Sequence, residues 1–269
     1  MNILIKKSIP NFITLSNLFL GFTAIILLSL SLNNSYSYIN TACYLILISC
    51  VLDSIDGKVA RKLNISSEFG KEIDSLADLV SFCMVPSLLI FVHYILVLPS
   101  LINLKILIVL SSFPLILGAI RLAKYNSLRE MRDSQEYLGL PTPANAIFIC
   151  STILFTYNLP YRSIIELDSK VFKWLNDFIS NFFINEYSIL FLSILSSILL
   201  MSKVNYKKFP LISFKINRKN NIDLIKVILF LLILGSSVLT RSYDIVLLLF
   251  ISIYIFGNIV KYIFNLIKR

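Results

Sequence analysis

The stretch from Asp53 to Asp78 reads DSIDGKVARKLNISSEFGKEIDSLAD and interrupts an otherwise very apolar chain. Asp53 and Asp56 are three residues apart at its start, and Asp74 and Asp78 are four apart at its end. Each pair therefore shares one face of a helix. Because long apolar runs lie on both sides, the stretch predicts two antiparallel membrane helices whose connection brings four carboxylates together.

Four carboxylates held side by side need positive charge to remain ionised. A charge at the bilayer centre costs about 3 kcal/mol even on the insertion scale, so we expect the site in a wet cavity at the membrane boundary. Carboxylate oxygens are hard ligands that suit magnesium, manganese or calcium. The alternative, that the acids only cap helices, fits Asp74 but not Asp53 and Asp56, which stand where a helix dipole disfavours them. The pattern therefore indicates bound divalent metal and phosphate chemistry.

The composition is that of a polytopic membrane protein. Hydrophobic residues make up 57% of the chain and charged residues 15%, whereas soluble domains carry about 25% charged residues. The mean hydropathy is +0.81. We therefore predict an all-α transmembrane bundle, with spans at 12–32, 38–55, 75–98, 102–122, 142–159, 187–202, 222–240 and 243–263.

Charge placement gives the orientation. The formal net charge is +10, which basic cytoplasmic loops explain better than a nucleic-acid partner. With the amino terminus in the cytoplasm, 20 of the 25 basic residues fall on that side. The acidic stretch is then cytoplasmic as well, in a bacterial inner membrane or a eukaryotic internal one. The basic residues that fall outside this pattern are Lys105, Arg162, Lys170, Lys173 and Arg241.

Three units follow from these spans. Residues 1–205 form a six-span core, residues 206–221 a basic cytoplasmic connector, and residues 222–269 two additional transmembrane helices. Between the fifth and sixth spans, residues 160–186 repeat apolar positions at helical spacing, which predicts an amphipathic helix in the outer interface.

The acidic stretch resembles the signature of the CDP-alcohol phosphatidyltransferase family, D-x2-D-G-x2-A-R-x8-G-x3-D-x3-D, at every fixed position. That resemblance implies a six-span helical enzyme, commonly a homodimer, that holds one or two divalent metals per subunit. It also implies transfer of a phosphatidyl group from a CDP-linked lipid to an alcohol, with release of CMP. The matching residues are Asp53, Asp56, Gly57, Ala60, Arg61, Gly70, Asp74 and Asp78.

The resemblance also implies roles for these residues. Asp53, Asp56 and Asp74 would bind metal, and Asp78 would be the general base and also contact a second metal. Residues at the CDP-lipid end would leave room for the nucleotide or contact its phosphates: Gly57, Ala60, Arg61, Gly70 and Asn17.

Three further stretches are similar to the phosphatidylserine synthase branch: IPNFITLSNLFLG at 9–21, RLAKYN at 121–126 and GLPTPA at 139–144. They imply that the substrates are CDP-diacylglycerol and L-serine, within a membrane of lipids. Arg121 and Lys124 suit the serine carboxylate, with Asn126 and Thr142 as polar contacts; ordinary anchoring by cytoplasmic cations remains open for both basic residues. Glycerol 3-phosphate or inositol as the acceptor remains open, as does a cation or proton transporter.

Overall fold

The computed structural model of the chain describes residues 3–34, 37–62, 67–97, 103–127, 136–158, 187–207, 235–237 and 242–268. Within these ranges the chain is almost entirely helical, which confirms the predicted all-α polytopic class. The long helices are α1 (Ile3–Asn34), α2 (Ser37–Lys62), α3 (Glu68–Asp78), α4 (Val85–Val97), α5 (Leu104–Ser111), α6 (Phe113–Ser127), α7 (Thr142–Asn158), α8 (Ser188–Leu200) and α9 (Tyr243–Ile267).

Five helical stretches are long and apolar enough to cross a membrane. The helix α8 is a shorter apolar helix, and α7 has 17 residues; both coincide with predicted spans. Most of the predicted seventh span, 222–240, and the predicted amphipathic helix, 160–186, lie outside the described residues. The five long stretches are Ile9–Asn33, Tyr38–Val59, Glu68–Val97, Leu104–Ser127 and Tyr243–Ile267.

The third span, Glu68–Val97, is one continuous helical stretch with an irregular segment in its middle. A π-helical segment, Leu79–Met84, joins α3 to α4, and the N–H of Val85 donates to the carbonyl of Val80 five residues earlier. Such wide turns inside α-helices occur frequently at functional sites. This one begins directly after Asp78, so it fixes how the last acidic side chain is presented relative to α4.

Two glycines let neighbouring helices approach this irregular segment. A Cβ on Gly21 of α1 would lie 2.4 Å from Oγ of Ser81, and a Cβ on Gly118 of α6 would lie 2.4 Å from Sγ of Cys83. Small residues at helix crossings allow such close backbone approach in membrane proteins. The π-helical segment is therefore held tightly between α1 and α6.

The main core lies between these helices. Fully buried apolar side chains include Leu28 of α1, Ile46 of α2, Phe82 of the π-helical segment, Ile90 of α4 and Ile153 of α7. Because each of these helices contributes to one continuous, closely packed cluster, the core holds the acidic ends of α2 and α3 in fixed positions.

A two-stranded sheet is the part of the fold that the sequence did not predict. Strand β1 (Glu136–Leu138) pairs antiparallel with β2 (Asn205–Lys207), so that Tyr137 lies opposite Tyr206. Next to it, the N–H of Gly139 donates to the carbonyl of Val204 and the N–H of Leu140 to that of Leu199. These bonds tie the segment before α7 to the end of α8 and to the segment after it.

Gly139→Ala is expected to lower the free energy of unfolding by about 2 kcal/mol, because Gly139 has a φ of +76° and an added Cβ would lie 2.3 Å from the carbonyl oxygen of Leu200. Thermal unfolding of the purified protein in detergent measures the effect. Gly257→Ala is the control, since a Cβ there would meet nothing within 4 Å. Equal unfolding midpoints for the two variants would contradict the strain at Gly139.

Candidate functional site

Three of the four aspartates converge. Asp53 and Asp56 stand near the end of α2, and Asp74 stands in α3; each offers a carboxylate oxygen, and these oxygens lie within 4.8 Å of one another. Asp56 is buried, with 5% of its surface exposed, whereas Asp53 and Asp74 are partly exposed. We call these three residues the acidic trio. They form a group that could hold a metal ion.

The cap of α3 sets the register of its acidic side chains. The N–H of Gly70 donates to Oγ of Ser67 at 2.9 Å, which starts the helix at Glu68. A Cβ on Gly70 would lie 3.0 Å from that hydroxyl and 3.2 Å from Oδ1 of Asn11 in α1. Gly70 is thus in close contact with the cap of α3 and with α1, so the face of α3 that carries Gly70 and Asp74 lies against α1.

Asp78 stands one turn after Asp74, beside the acidic trio. Its carboxyl group lies within hydrogen-bond reach of that of Asp53, and it is also close enough to Arg121 of α6 for electrostatic attraction. One of its oxygens, Oδ1, is buried without a hydrogen-bond partner. Asp78 therefore lies between the acidic trio and a buried cation.

A hydroxyl group from α1 orients Asp56. Oγ1 of Thr14 donates to Oδ2 of Asp56 at 2.8 Å and lies 3.1 Å from the carbonyl oxygen of Pro10. The bond ties the first helix to the acidic trio. Thr14 lies in the stretch at 9–21, but no role was predicted for it, since a contact between residues 42 positions apart has no local signal in the sequence.

The electrostatics of this group fit a bound cation. At an effective dielectric constant of about 20, two ionised carboxylates separated by 4.8 Å repel each other by roughly 3 kcal/mol. Oδ1 of Asp74, like that of Asp78, is buried without a hydrogen-bond partner, and such atoms usually have one. Oxygen-only ligands with unused lone pairs are what a hard divalent cation requires.

The residues predicted for the CDP-lipid end are spread along α1, α2 and α3. A Cβ on Gly57 would meet nothing within 4 Å, so open space adjoins α2 there. Asn17 is fully buried; its main-chain carbonyl accepts from Ser81, and neither side-chain amide atom has a partner. Ala60 and Arg61 belong to the last turn of α2, but their side chains lie outside the described part of the chain.

A shallow, partly open recess lies beside Arg121. Arg121 is 9% exposed, and its Nε has no hydrogen-bond partner. Two cations on one wall could attract an anionic group. The lining residues are Arg121, Lys124, Tyr125, Leu138, Leu200, Met201 and Ser202.

The other two residues predicted to contact the acceptor do not line this recess. Nδ2 of Asn126 donates to Oγ of Ser75 at 2.9 Å, which links α6 to the acidic face of α3. Thr142 is buried, and its methyl group lies 3.8 Å from the position of a Cβ on Gly118. Both residues therefore contact the helices that frame the site.

One buried polar residue near the site was missed from the sequence. Asn145, one turn after Thr142 in α7, is 1% exposed, and both of its amide atoms lack partners. The same end of α7 meets α2, where Sγ of Cys50 lies 3.9 Å from the carbonyl oxygen of Pro143. An asparagine inside an apolar predicted span is the signal that could have identified it.

Comparison with known proteins gives concordant matches. The sequence profile of the CDP-alcohol phosphatidyltransferase family matches residues 7–176. A CDP-diacylglycerol--serine O-phosphatidyltransferase of Helicobacter pylori is 30% identical over 96% of this chain and 92% of its own length. Proteins of the same name are 28% identical in Methanocaldococcus jannaschii, over 76% of this chain and 75% of theirs, and 38% identical in Bacillus subtilis, over 56% and 77%.

Proposed function

The chain belongs to the CDP-alcohol phosphatidyltransferase family, and we propose that it transfers a phosphatidyl group from CDP-diacylglycerol to L-serine, giving phosphatidylserine and CMP. The observation that carries this proposal is the convergence of Asp53, Asp56 and Asp74. Asp78, next to this group, is close enough for electrostatic attraction to Arg121, which lines the recess together with Lys124. The relatives' names state serine as the acceptor. The relatives' names do not favour glycerol 3-phosphate or inositol as the acceptor, and they do not favour a cation transporter.

The acidic trio would hold the divalent metal, as magnesium, manganese or calcium, with one or two ions per subunit. When bound, the metal would neutralise negative charge on the diphosphate and on the CMP leaving group. Thr14 supports this role because it fixes one oxygen of Asp56 and so restricts its carboxylate to one orientation. Asp78, which also contacts Asp53, would be near enough to reach a second ion.

Asp78 would act as the general base. It accepts the proton of the serine hydroxyl as that oxygen attacks phosphorus, and the bond from phosphorus to the bridging oxygen of CMP breaks. The position between the acidic trio and Arg121 supports this assignment, because the acceptor in the recess and the diphosphate at the metal would meet there.

Arg121 and Lys124 would bind the serine carboxylate in the recess. A guanidinium group offers a planar pair of donors that matches a carboxylate, and Nε of Arg121 has no partner within the protein. Asn126 and Thr142 contribute by holding α6 against α3 and α7. Asn17, Gly57, Ala60, Arg61 and Gly70 would serve the nucleotide end, where Gly57 leaves open space.

The active site would face the cytoplasm, and the enzyme would form homodimers. Basic residues concentrated on one side of the predicted spans support the orientation. Lipid tails can then stay in the bilayer while the headgroup of CDP-diacylglycerol reaches the acidic trio at the boundary.

CMP release by the purified enzyme, measured with a panel of alcohols, tests the proposed function. With CDP-diacylglycerol and added magnesium or manganese, we expect release that depends on L-serine and stops with a chelator. Release that depends only on glycerol 3-phosphate or inositol would refute the serine assignment. Ion flux in liposomes without any CMP production would refute the proposed transferase activity.

Arg121→Ala is expected to raise the KM for serine by about 10- to 100-fold, because a charged hydrogen bond contributes about 1.5–3 kcal/mol. The KM for CDP-diacylglycerol should change by less than about twofold. Arg121→Lys keeps the charge without the planar pair of donors, so its KM for serine should lie between those of the wild type and of Arg121→Ala. The control is Lys261→Ala, which removes an exposed cation from α9. An unchanged KM for serine would leave Arg121 with a membrane-anchoring role only.

A further inference from the structure

Part of the lining of the recess comes from two segments that are far apart in sequence. We call residues 136–140 and 199–207 together the clip; it includes the pair of strands and the bonds that Gly139 and Leu140 make to Val204 and Leu199. Leu138 from the first segment and Ser202 from the second line the recess. The shape of the recess therefore depends on how firmly the two segments are held together.

The last helix supports the clip from outside. The hydroxyl of Tyr254 in α9 donates to the carbonyl oxygen of Lys207 at 2.9 Å. The ring of Tyr254 also packs on that of Tyr206, with 5.8 Å between centroids. Tyr206 is fully buried, and burial raises its pKa to about 12, so its hydroxyl stays neutral. The helix α9 thus contacts β2 by a hydrogen bond and by aromatic packing.

The clip and α9 share an apolar core of their own. Leu140, Leu200, Val204 and Tyr206 are buried together with Ile255 of α9, separately from the main core. Tyr137, the cross-strand partner of Tyr206, packs against the same core and also lies near Tyr125, with 6.4 Å between ring centroids, and Tyr125 lines the recess. A continuous path of contacts therefore runs from α9 through the clip to the recess.

We infer that Tyr254 is a positioning residue for the acceptor: it fixes the carbonyl of Lys207, and the clip so held keeps Leu138 and Ser202 against the recess that contains Arg121. This inference rests on the proposed function, because it assumes that the acceptor binds in the recess. It gives the carboxy-terminal helix a role in acceptor affinity. The family profile matches only residues 7–176, so β2 and α9 lie beyond it.

The test is Tyr254→Phe in the full-length protein, with Tyr262→Phe as the matched control. Tyr262 lies on the same helix and against the same apolar core. Hydrogen exchange followed by mass spectrometry reports on the clip, and steady-state kinetics report on the recess. For Tyr254→Phe we expect faster exchange of the amides of Gly139 and Leu140. The KM for serine should rise about three- to tenfold, as the loss of one hydrogen bond allows. The turnover number and the KM for CDP-diacylglycerol should stay within about twofold.

Unchanged exchange in Tyr254→Phe would overturn the inference, because the hydrogen bond would then not hold the clip. Faster exchange with an unchanged KM for serine, or with equal increases in both KM values, would also overturn it. The wild-type enzyme tests the proposed function separately. If it used another alcohol, the KM for that alcohol would decide the role of Tyr254 by the same criterion.

Discussion

Replacing Asp78 with asparagine is expected to lower the rate of serine-dependent CMP release by at least about 100-fold, the lower end of what a positioned general base contributes. The amide keeps the size of the carboxylate but cannot accept the proton of the serine hydroxyl. The acidic trio of Asp53, Asp56 and Asp74 remains intact in this variant. Metal-dependent binding of CDP-diacylglycerol should therefore persist within a few-fold.

The matched control for this variant is Glu72→Gln, which removes an exposed acid from the same helix. It should turn over at close to the wild-type rate. Stopped-flow or single-turnover measurement of CMP release at saturating serine separates the chemical step from binding. Near-normal turnover of Asp78→Asn would assign the proton transfer to another group.

Asp56→Asn is expected to weaken divalent metal binding by at least about 100-fold, since even changes outside the direct ligands cost 10- to 100-fold. Asp56 is the most buried member of the acidic trio and is held by Thr14. A neutral amide there removes one negative charge and one ligand oxygen. Activity at a fixed, low manganese concentration should fall by a similar factor and recover in part as manganese is raised.

Manganese binding is measured by electron paramagnetic resonance of the free ion in titrations of wild-type and Asp56→Asn protein. Glu72→Gln again serves as the control and should bind like the wild type. Equal manganese affinity in Asp56→Asn and wild-type protein would exclude Asp56 as a ligand. Loss of activity without recovery at high metal would instead indicate a defect in folding, which thermal unfolding would detect.

The helices and the acidic trio could be predicted because their signals are local. Helical spacing places Asp53 with Asp56 on one face, and long apolar runs on both sides require that the two acidic helix ends meet at the membrane boundary. The structure confirms the all-α class, and it brings Asp53, Asp56 and Asp74 together. Asp78 lies beside this group and contacts Asp53.

The strands and the irregular turn could not be predicted for a physical reason. Glu136–Leu138 and Asn205–Lys207 are three residues each, too short for an alternating pattern, and their pairing depends on how α7 and α8 pack against each other. The π-helical segment, Leu79–Met84, has an apolar sequence that would suit an ordinary helix equally well. Its form depends on the close approach of α1 and α6 at Gly21 and Gly118.

The composition of the recess illustrates the same limit. Arg121 and Lys124 could be identified as candidates because cations near the end of a span are conspicuous in sequence. Leu138 and Ser202 could not, because they reach the recess only through the clip. Asn126 and Thr142 were predicted as contacts to the acceptor, yet their neighbours are Ser75 and Gly118. Only tertiary contacts show which polar residues near a site line it and which hold the surrounding helices together, and sequence spacing does not give those contacts.

The metal site is tested by an anomalous difference map from crystals of the wild-type protein grown with manganese and CDP-diacylglycerol. A manganese peak is expected within coordination distance of carboxylate oxygens of Asp53, Asp56 and Asp74. The diphosphate of the lipid should lie next to that peak. No manganese at these three side chains, or side chains that point away from one another with the lipid bound, would show that the acidic trio is not a metal site.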